Sequence, residues 1–300
     1  MIFTVTLNPA LDYVIKVEEF VSGKVNRAAE EHIFYGGKGL NVSRVLKTLG
    51  HDSVALGFVA GFTGKEIERG MKSFGVMTDF VSVKSGMSRI NVKLKSGEES
   101  EINGVGPTIG EEDETAFFKK LEGLKEGDAL VLAGSIPKSM EKDTYERILR
   151  QVEERKVLTV VDGEKGLLTS VLKYHPFLIK PNQYELGELF DTTVAEEKEV
   201  LHYAAKLQDM GARNVLVSMG EKGSILLGET KEVYKRDAAK GIVKNSVGAG
   251  DSMVAGFLAG YLERGDFGYG LKLGTAAGGA TAFSDDLGDG ELIKAVFQSL

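Results

Sequence analysis

The residues best suited to chemistry lie in the glycine-rich segment 245–251, which reads NSVGAGD. Apolar residues recur at helical spacing over positions 254–262, so the sequence predicts a helix that begins at this segment. A glycine-rich helix N-terminus points backbone N–H groups at one spot, which suits a phosphate or a developing negative charge. Asp251 adds a carboxylate that could accept a proton. The segment therefore fits phosphoryl transfer to an alcohol, and the competing interpretation is a tight turn with Asp251 as helix N-cap.

A second glycine-rich segment, 35–43 (YGGKGLNVS), leads into a predicted helix over 40–49. Its three glycines would allow the backbone to approach a ligand closely. Lys38 could offer its charge to a phosphate, and Asn41 could bind hydroxyl groups. The competing interpretation is a flexible turn with a solvated lysine.

Polar residues also follow other predicted strands. Asp12 lies just past the first strand and could bind two sugar hydroxyls, or it could be a turn residue. Asn182 and Glu185 follow a buried strand and would share one face of a helix start. Glu185 could act through water on a Mg²⁺ ion bound to nucleotide phosphates. The structural alternative for this pair is a capping box.

Two common nucleotide-binding motifs are missing from the chain. The Gly-Lys pairs at 23–24, 37–38 and 64–65 are not followed by Ser or Thr, which disfavours a P-loop kinase. No Gly-x-Gly-x-x-Gly follows a predicted strand, so a dinucleotide-dependent dehydrogenase loses support as well.

The elements that must position these residues alternate between short apolar strands and helices. This order predicts an α/β fold with a mostly parallel sheet covered on both faces. Ligands of such sheets bind beyond the carboxyl ends of the strands, which is where the polar residues fall. The predicted strands are 2–7, 130–133, 158–161, 177–179 and 215–217, and the clearest helices are 40–49, 144–154, 198–209 and 252–262.

Residues 89–103 break this order, because apolar and polar residues alternate over 89–94 and a second short run follows a turn at 95–98. The alternation predicts an antiparallel hairpin with one apolar face. Residues 13–17 and 31–34 are candidates to join it. Such a small sheet could form a lid, whose apolar face would need substrate, the main sheet or a second subunit to cover it.

Composition narrows the function classes further. The 300 residues are 42% hydrophobic, enough for a sizeable core, and the net charge of −7 without a long basic run argues against nucleic acid as a partner. The absence of cysteine excludes disulfides, thiolate metal sites and a cysteine nucleophile. No apolar run of membrane-spanning length exists, and the first residues are typical of a strand rather than a signal peptide. We therefore expect a cytoplasmic protein with no membrane partner.

The segment Gly36-Gly37-Lys38-Gly39-x-Asn41 and the segment 245–251 together resemble the two signatures of the PfkB (ribokinase-like) carbohydrate kinases. The resemblance covers essentially the whole chain, starting from residues 4–12 (TVTLNPALD). It implies a single kinase domain over residues 1–300. That domain would be a three-layer α/β/α fold with a mostly parallel central sheet and a small β-sheet lid, formed approximately by residues 12–34 and 88–104.

The resemblance also implies roles for individual residues. Asp251 would be the base that takes the proton from the sugar hydroxyl, and Glu185 would act on Mg²⁺ through water. Residues around Ala277 and Gly278 would border the adenine. The other implied roles are an anion hole of Gly248, Ala249 and Gly250; sugar-phosphate binding by Asp12, Gly37, Lys38, Asn41 and, from the lid, Arg89; and nucleotide binding by Asn182, Ser218, Gly220, Glu221, Gly223 and Gly250.

The chain departs from the family pattern at two places. After the strand ending at Val161 it has Asp162-Gly163-Glu164 where the family often has Asp-Thr-Ser-Gly, and we therefore leave Asp162 outside the predicted site. Relatives activated by monovalent cations often carry Asp where this chain has Asn245, which weakens any prediction of a potassium site.

The resemblance is strongest to the branch that acts on phosphorylated sugars. It implies phosphorylation of fructose 1-phosphate to fructose 1,6-bisphosphate with ATP and Mg²⁺. The apolar face predicted for the lid separately favours a homodimer through the lid. Alternatives are tagatose 6-phosphate or an unphosphorylated sugar as acceptor, or a sensor that binds sugar phosphates without turnover. Lys38 and Arg89 favour a phosphorylated acceptor, and Asp251 with its complete anion loop argues against a sensor.

Overall fold

The polar residues singled out above are positioned by a central sheet between two layers of helices. A computed structural model describes residues 1–300. The strands, in chain order, are β1 (Ile2–Thr6), β2 (Ala10–Lys16), β3 (Glu30–Gly36), β4 (Ser53–Ala60), β5 (Met77–Thr78), β6 (Val81–Val83), β7 (Arg89–Ser96), β8 (Glu98–Ile102), β9 (Ala129–Ala133), β10 (Leu158–Asp162), β11 (Leu178–Ile179), β12 (Asn214–Ser218), β13 (Ser224–Leu227) and β14 (Val233–Arg236). The helices are α1 (Lys38–Thr48), α2 (Gly61–Ser73), α3 (Glu111–Leu121), α4 (Thr144–Val152), α5 (Lys165–Val171), α6 (Gln183–Leu189), α7 (Glu197–Asp209), α8 (Ala249–Arg264), α9 (Phe267–Ala282) and α10 (Gly290–Ser299).

The central sheet runs in the order β14-β13-β12-β11-β10-β9-β1-β4-β5, with β6 paired to the end of β4. Pairings from β12 through to β5 are parallel, while β13 and β14 are antiparallel additions at one edge. Parallel strands end at the same edge of a sheet. The segments that follow β1, β9, β10, β11 and β12 therefore meet there, and this edge carries the candidate site.

Side chains that alternate along the strands form two cores. In β9, Leu130 and Leu132 face a core shared with α3, α4, α5, α6 and α7. Val131 and Ala133 face the opposite core, shared with α1, α8, α9 and α10. Every residue of β9 is buried, as expected for a central strand covered on both faces. The predicted three-layer α/β/α fold is thus confirmed.

The lid is a separate four-stranded sheet in the order β3-β2-β7-β8. Strands β2 and β7 are parallel neighbours, and β3 and β8 pair antiparallel at the edges. The predicted hairpin corresponds to β7 and β8, and residues 13–17 and 31–34 join it within β2 and β3. Residue pairing places Asp12 beside Asn91 on one face, and Tyr13 beside Val92 on the other.

The predicted strands correspond to β1, β9, β10, β11 and β12, and the predicted helices to α1, α4, α7 and α8. Helix α9 escaped prediction because it is rich in glycine, a poor helix former. Those glycines allow close packing: a Cβ on Gly274 would lie 2.8 Å from the carbonyl oxygen of Met253, and one on Gly278 would lie 3.0 Å from that of Ala249. None of the helices is long and apolar enough to cross a membrane.

Candidate active site

The start of helix α1 is held against the end of strand β1. Gly37 has φ of 134°, and a Cβ at this position would lie 2.7 Å from Cγ2 of Thr6. The backbone N–H of Leu40 donates to Oγ1 of Thr6 at 3.1 Å. These contacts fix the first turn of α1, which presents Lys38 and Asn41 at the carboxyl edge of the sheet.

Asp251 lies in the first turn of helix α8 and faces helix α1. Its side chain is buried, and Nδ2 of Asn41 donates to its Oδ2 at 2.8 Å. The chain turns into this helix at Gly248, which has the left-handed φ of 79°. The amides of Gly248 and Gly250 have no acceptor within the chain, whereas the N–H of Ala249 donates to the carbonyl oxygen of Ser246 at 3.2 Å. Two of the three predicted anion-hole amides are therefore available to an anion.

Two lysines and a second carboxylate lie beside this turn. Asp162, the last residue of β10, pairs with Nζ of Lys38 at 3.3 Å and with Nζ of Lys180 at 3.6 Å. Asp162 and Lys180 are 2% and 5% exposed, so this ion pair is shielded from water. Nζ of Lys180 also lies 3.2 Å from the position that a Cβ on Gly250 would occupy. A buried positive charge is therefore directed at the start of helix α8.

Burial and the neighbouring charges shift the pKa values of Asp251 and Lys38. Burial, and then the charge of Asp162, raise the pKa of Asp251 to about 6, against the opposing effects of Asn41, Lys38 and Lys180. For Lys38, burial opposes the charged form, but Asp162, Asp251 and Glu185 outweigh it and the pKa is raised. Asp251 is thus a carboxylate at neutral pH with a proton affinity above that of an ordinary aspartate, as a general base requires.

The lid contributes a further carboxylate, that of Asp12, and the guanidinium of Arg89. Nδ2 of Asn91 donates to Oδ1 of Asp12 at 2.7 Å, and Oδ1 of Asn91 accepts from the N–H of Gly104 at 3.2 Å. Nε of Arg89 donates to the carbonyl oxygen of Asn8 at 3.0 Å. Burial lowers the pKa of Arg89, with Asp12 opposing this effect. The guanidinium remains protonated at neutral pH, because arginine side chains are not deprotonated in proteins.

A cavity of about 330 Å³ is lined by Lys38 from α1 and by Arg89 from the lid. Nearly all its lining residues are polar or glycine, which suits a highly hydroxylated and charged ligand. They are Thr6, Asn8, Gly37, Lys38, Arg89, Ala133, Gly134, Ser135, Gly163, Glu164 and Glu185.

The predicted nucleotide residues lie along the same sheet edge. Asn182 caps helix α6, since its Oδ1 accepts from the N–H groups of Tyr184 and Glu185 at 2.9 and 2.8 Å. Ser218, at the end of β12, forms an isolated parallel bridge with Asn182. The turn that contains Gly220, Glu221 and Gly223 follows directly and links β12 to β13. Ala277 and Gly278 are buried, and Gly278 packs closely against Ala249 of α8.

Glu185 completes a capping box, because its Oε2 accepts from the N–H of Asn182 at 2.7 Å. Its other carboxylate oxygen accepts no hydrogen bond, and the residue lines the cavity. No group of three or more His, Cys, Asp or Glu residues is arranged to hold a metal ion. A single free carboxylate oxygen fits Mg²⁺ held mainly by water and nucleotide phosphates.

The structure thus brings together Asp251, Asn41, Lys38, Arg89 and the turn 248–250 around one cavity or at its side. Asp162, which the sequence prediction left outside the site, pairs with both lysines and therefore lies beside the predicted site residues. Its position at the end of a predicted strand was the signal that could have retained it. Other residues at the site that the sequence prediction missed are Lys180, Asn91, Asn8 and Ser135, each of which follows or lies within a predicted strand.

Comparison with known proteins agrees with this fold. Residues 5–291 match the pfkB family of carbohydrate kinases, and the chain belongs to that family. It is similar to 1-phosphofructokinase of Bacillus subtilis (strain 168), with 47% identity over 294 residues that cover 98% of this chain and 96% of the relative. It is also similar to D-tagatose-1-phosphate kinase of Bacillus licheniformis, with 39% identity, 96% of this chain and 95% of the relative. The phosphofructokinase-2 structure from Escherichia coli shares the fold, with a TM-score of 0.93, 23% identity and coverage of 100% and 99%.

Proposed function

We propose that this protein transfers the terminal phosphoryl group of ATP to the 6-hydroxyl of fructose 1-phosphate, which yields fructose 1,6-bisphosphate. The observation that carries the proposal is the placement of two cations, Lys38 and Arg89, in one small polar cavity beside the buried base Asp251. A cavity with two cations favours an acceptor that already carries a phosphate. The 1-phosphofructokinase relative at 47% identity supports this acceptor.

Each residue of the site has a distinct role in the proposed reaction. Asp251 accepts the hydroxyl proton as the oxygen attacks phosphorus, and Asn41 orients its carboxylate. The amides of Gly248 and Gly250 and the ammonium of Lys180 stabilise charge on the transferred phosphoryl group. Glu185 would hold Mg²⁺ through water, and the ion would neutralise charge on the nucleotide phosphates. Positioning and electrostatics account for most of the rate in such transfers.

The experiment that tests the proposal is an ADP-release assay with fructose 1-phosphate, fructose 6-phosphate, tagatose 1-phosphate, tagatose 6-phosphate and fructose. We expect the highest kcat/KM with fructose 1-phosphate and little turnover of fructose. A higher kcat/KM with a tagatose phosphate would reassign the acceptor. Binding of sugar phosphates without ADP release would instead establish a sensor. The raised pKa of Asp251 argues against a sensor, because burying that carboxylate costs stability that binding alone does not require.

Arg89→Ala should raise the KM for the sugar phosphate by about 10- to 100-fold, since a hydrogen bond to a charged group contributes about 1.5–3 kcal/mol. The KM for ATP should change little, because Arg89 lies on the lid side of the cavity. Arg69→Ala, which removes an exposed arginine paired with Glu66 on α2, is the matched control. Steady-state kinetics with each substrate varied would measure both constants. A loss confined to nucleotide affinity would show that Arg89 acts on the nucleotide and not on the sugar phosphate.

The lid also supports a homodimer as part of this proposal. Ile33, Tyr13, Val92 and Ile102 form one row across its four strands, on the face opposite Asp12 and Asn91. Ile33 and Ile102 are 58% and 71% exposed. An exposed apolar face of this kind is typical of a surface that a partner covers, and a two-fold axis would let the same row meet itself.

The double variant Ile33→Glu/Ile102→Glu should therefore convert a dimer into a monomer in light scattering coupled to size-exclusion chromatography. The charges would be desolvated at an apolar interface, which is unfavourable. Met210→Glu, a change at an exposed apolar residue at the end of α7, should leave the mass unchanged. A wild-type protein that is monomeric at micromolar concentration, or a double variant that remains dimeric, would contradict the lid interface.

A further inference from the structure

Arg44 is a buried arginine of helix α1 that lies outside the cavity. Its Nη1 and Nη2 donate to the two carboxylate oxygens of Asp286 at 3.2 and 2.5 Å. Its guanidinium carbon lies 4.1 Å from the ring centroid of Phe74, at the end of α2. The Arg44 side chain is 10% exposed. Stacking on a ring while forming a two-pronged ion pair is a geometry that arginine provides and lysine does not.

Asp286 belongs to the loop 283–289, which supports the anion-hole turn from behind. In this loop Leu287 packs on Gly248, so that a Cβ on Gly248 would lie 2.7 Å from Cδ2 of Leu287. The N–H of Gly288 donates to Oγ1 of Thr281 at 3.0 Å, and that oxygen shares a 2.7 Å hydrogen bond with Oγ of Ser252 in α8. The loop therefore contacts the anion-hole turn directly, through Leu287, and is linked to the first turn of α8 through Thr281.

The approach to the turn is tied to the same region. The N–H groups of Lys244 and Asn245 both donate to the carbonyl oxygen of Ala282, at 2.8 and 3.2 Å. Nδ2 of Asn245 donates to the carbonyl oxygen of Asp285 at 3.4 Å. The segment 244–248 is thus positioned by residues 282–288. A single ion pair, between Arg44 and Asp286, joins residues 282–288 to α1.

Helix α1 carries Asn41, which holds the carboxylate of Asp251. Asn41 and Arg44 are three residues apart, just under one helical turn, so their side chains are neighbours on the surface of α1. We propose that Arg44 is a positioning residue: its ion pair with Asp286 holds loop 283–289 against α1, and so keeps the anion-hole turn in register with the Asn41–Asp251 pair. This inference rests on the proposed kinase activity.

The expected consequence is a specific loss of turnover. A displacement of about 1 Å in groups that meet the transferred phosphoryl can cost about 10²-fold in rate. The sugar-phosphate residues Lys38 and Arg89 do not contact the loop, so substrate affinity should persist. Arg44→Met and Asp286→Asn should each lower kcat by about 10- to 100-fold, with KM for both substrates within about threefold of wild type.

A double-mutant cycle separates this role from a general contribution to stability. If both residues act through their shared contact, the double variant should lose no more kcat than the worse single variant. Arg147→Met is the matched control, because Arg147 pairs with Glu114 at 2.8 Å and stacks 4.6 Å from the Phe118 ring on the opposite helix layer. It should lower the melting temperature without changing kcat measured well below that temperature.

Hydrogen–deuterium exchange provides a readout that does not depend on activity. Arg44→Met and Asp286→Asn should accelerate exchange in the peptide spanning 244–252, and Arg147→Met should not. Unchanged kcat and exchange in Arg44→Met, additive losses in the double variant, or an equal loss in Arg147→Met would overturn the inference. A wild-type protein that turns over no phosphosugar would refute the proposed function, while the exchange comparison would still decide the role of Arg44.

Discussion

Asp251→Asn should lower kcat by about 10²–10⁴-fold, the range that general base catalysis contributes. Asparagine keeps the size of the side chain and can still accept the hydrogen bond from Nδ2 of Asn41. It cannot take the proton of the attacking hydroxyl. KM for fructose 1-phosphate should therefore stay close to the wild-type value, and steady-state kinetics across both substrates would show the split.

The same variant should not be less stable than the wild type. Because burial raises the pKa of Asp251 to about 6, the folded state favours the protonated form more than the unfolded chain does. Ionisation of the carboxylate therefore lowers the free energy of unfolding as the pH rises above the pKa of the unfolded chain. This cost is fully present once the pH exceeds the folded-state pKa, and so at pH 7. A neutral asparagine removes that cost, so its melting temperature at pH 7 should equal or exceed that of wild type.

Asp266→Asn is a matched control for this prediction, since Asp266 also lies at a helix start and caps α9 through the N–H of Tyr269. It should retain full turnover. An Asp251→Asn enzyme with near wild-type kcat would remove Asp251 from the role of base.

Lys180→Met should lower kcat by about 10²–10³-fold, the typical cost of removing one donor from a site that stabilises developing negative charge. The ammonium of Lys180 is buried, lies close to Gly250 and is directed by Asp162. Methionine occupies similar space and leaves no charge. The contribution of Lys180 should appear in turnover more than in acceptor affinity, because Lys38 and Arg89 remain.

The pH profile independently tests the electrostatic interaction of Lys180 with Asp251. In the wild type, kcat/KM should fall as pH drops below about 6, where Asp251 becomes protonated. Lys180 lowers the pKa of Asp251, so its removal should move this acid limb to higher pH. Lys165→Met, which removes an exposed lysine paired with Asp191, should leave both kcat and the acid limb in place. A Lys180→Met profile that coincides with wild type would show that the ammonium does not act on Asp251.

Much of the fold could be predicted because its signals are local. The buried strands of the main sheet are short apolar runs, and the hairpin of the lid alternates in polarity with period two. The strand ends could be identified in the same way, and with them Asp12, Asn182 and Ser218. The order of the strands across the sheet could not be predicted, because it depends on which strands pair rather than on any one segment.

The site depends on that order. Strand β10 lies between β9 and β11, and this places Asp162 within reach of both Lys38 and Lys180. The contact between Arg44 and Asp286 joins residues that are 242 positions apart in the chain. Neither residue belongs to a motif, so only the packed structure reveals that they meet. The glycine-rich segment and the family resemblance both indicated the anion-hole turn, whereas the support behind that turn is a property of tertiary packing.

The lid strand β2 gives neighbouring residues unrelated environments. Asp12 points to the face that carries Asn91, and Tyr13 points to the apolar face with Val92. Under the proposed function, substitutions on the Asp12 face would change acceptor preference, and substitutions on the Tyr13 face would change the dimer contact. These two properties could therefore diverge separately among descendants of one ancestor. A one-residue insertion in β2 has the opposite effect, because it exchanges the two faces beyond it and disturbs both properties at once.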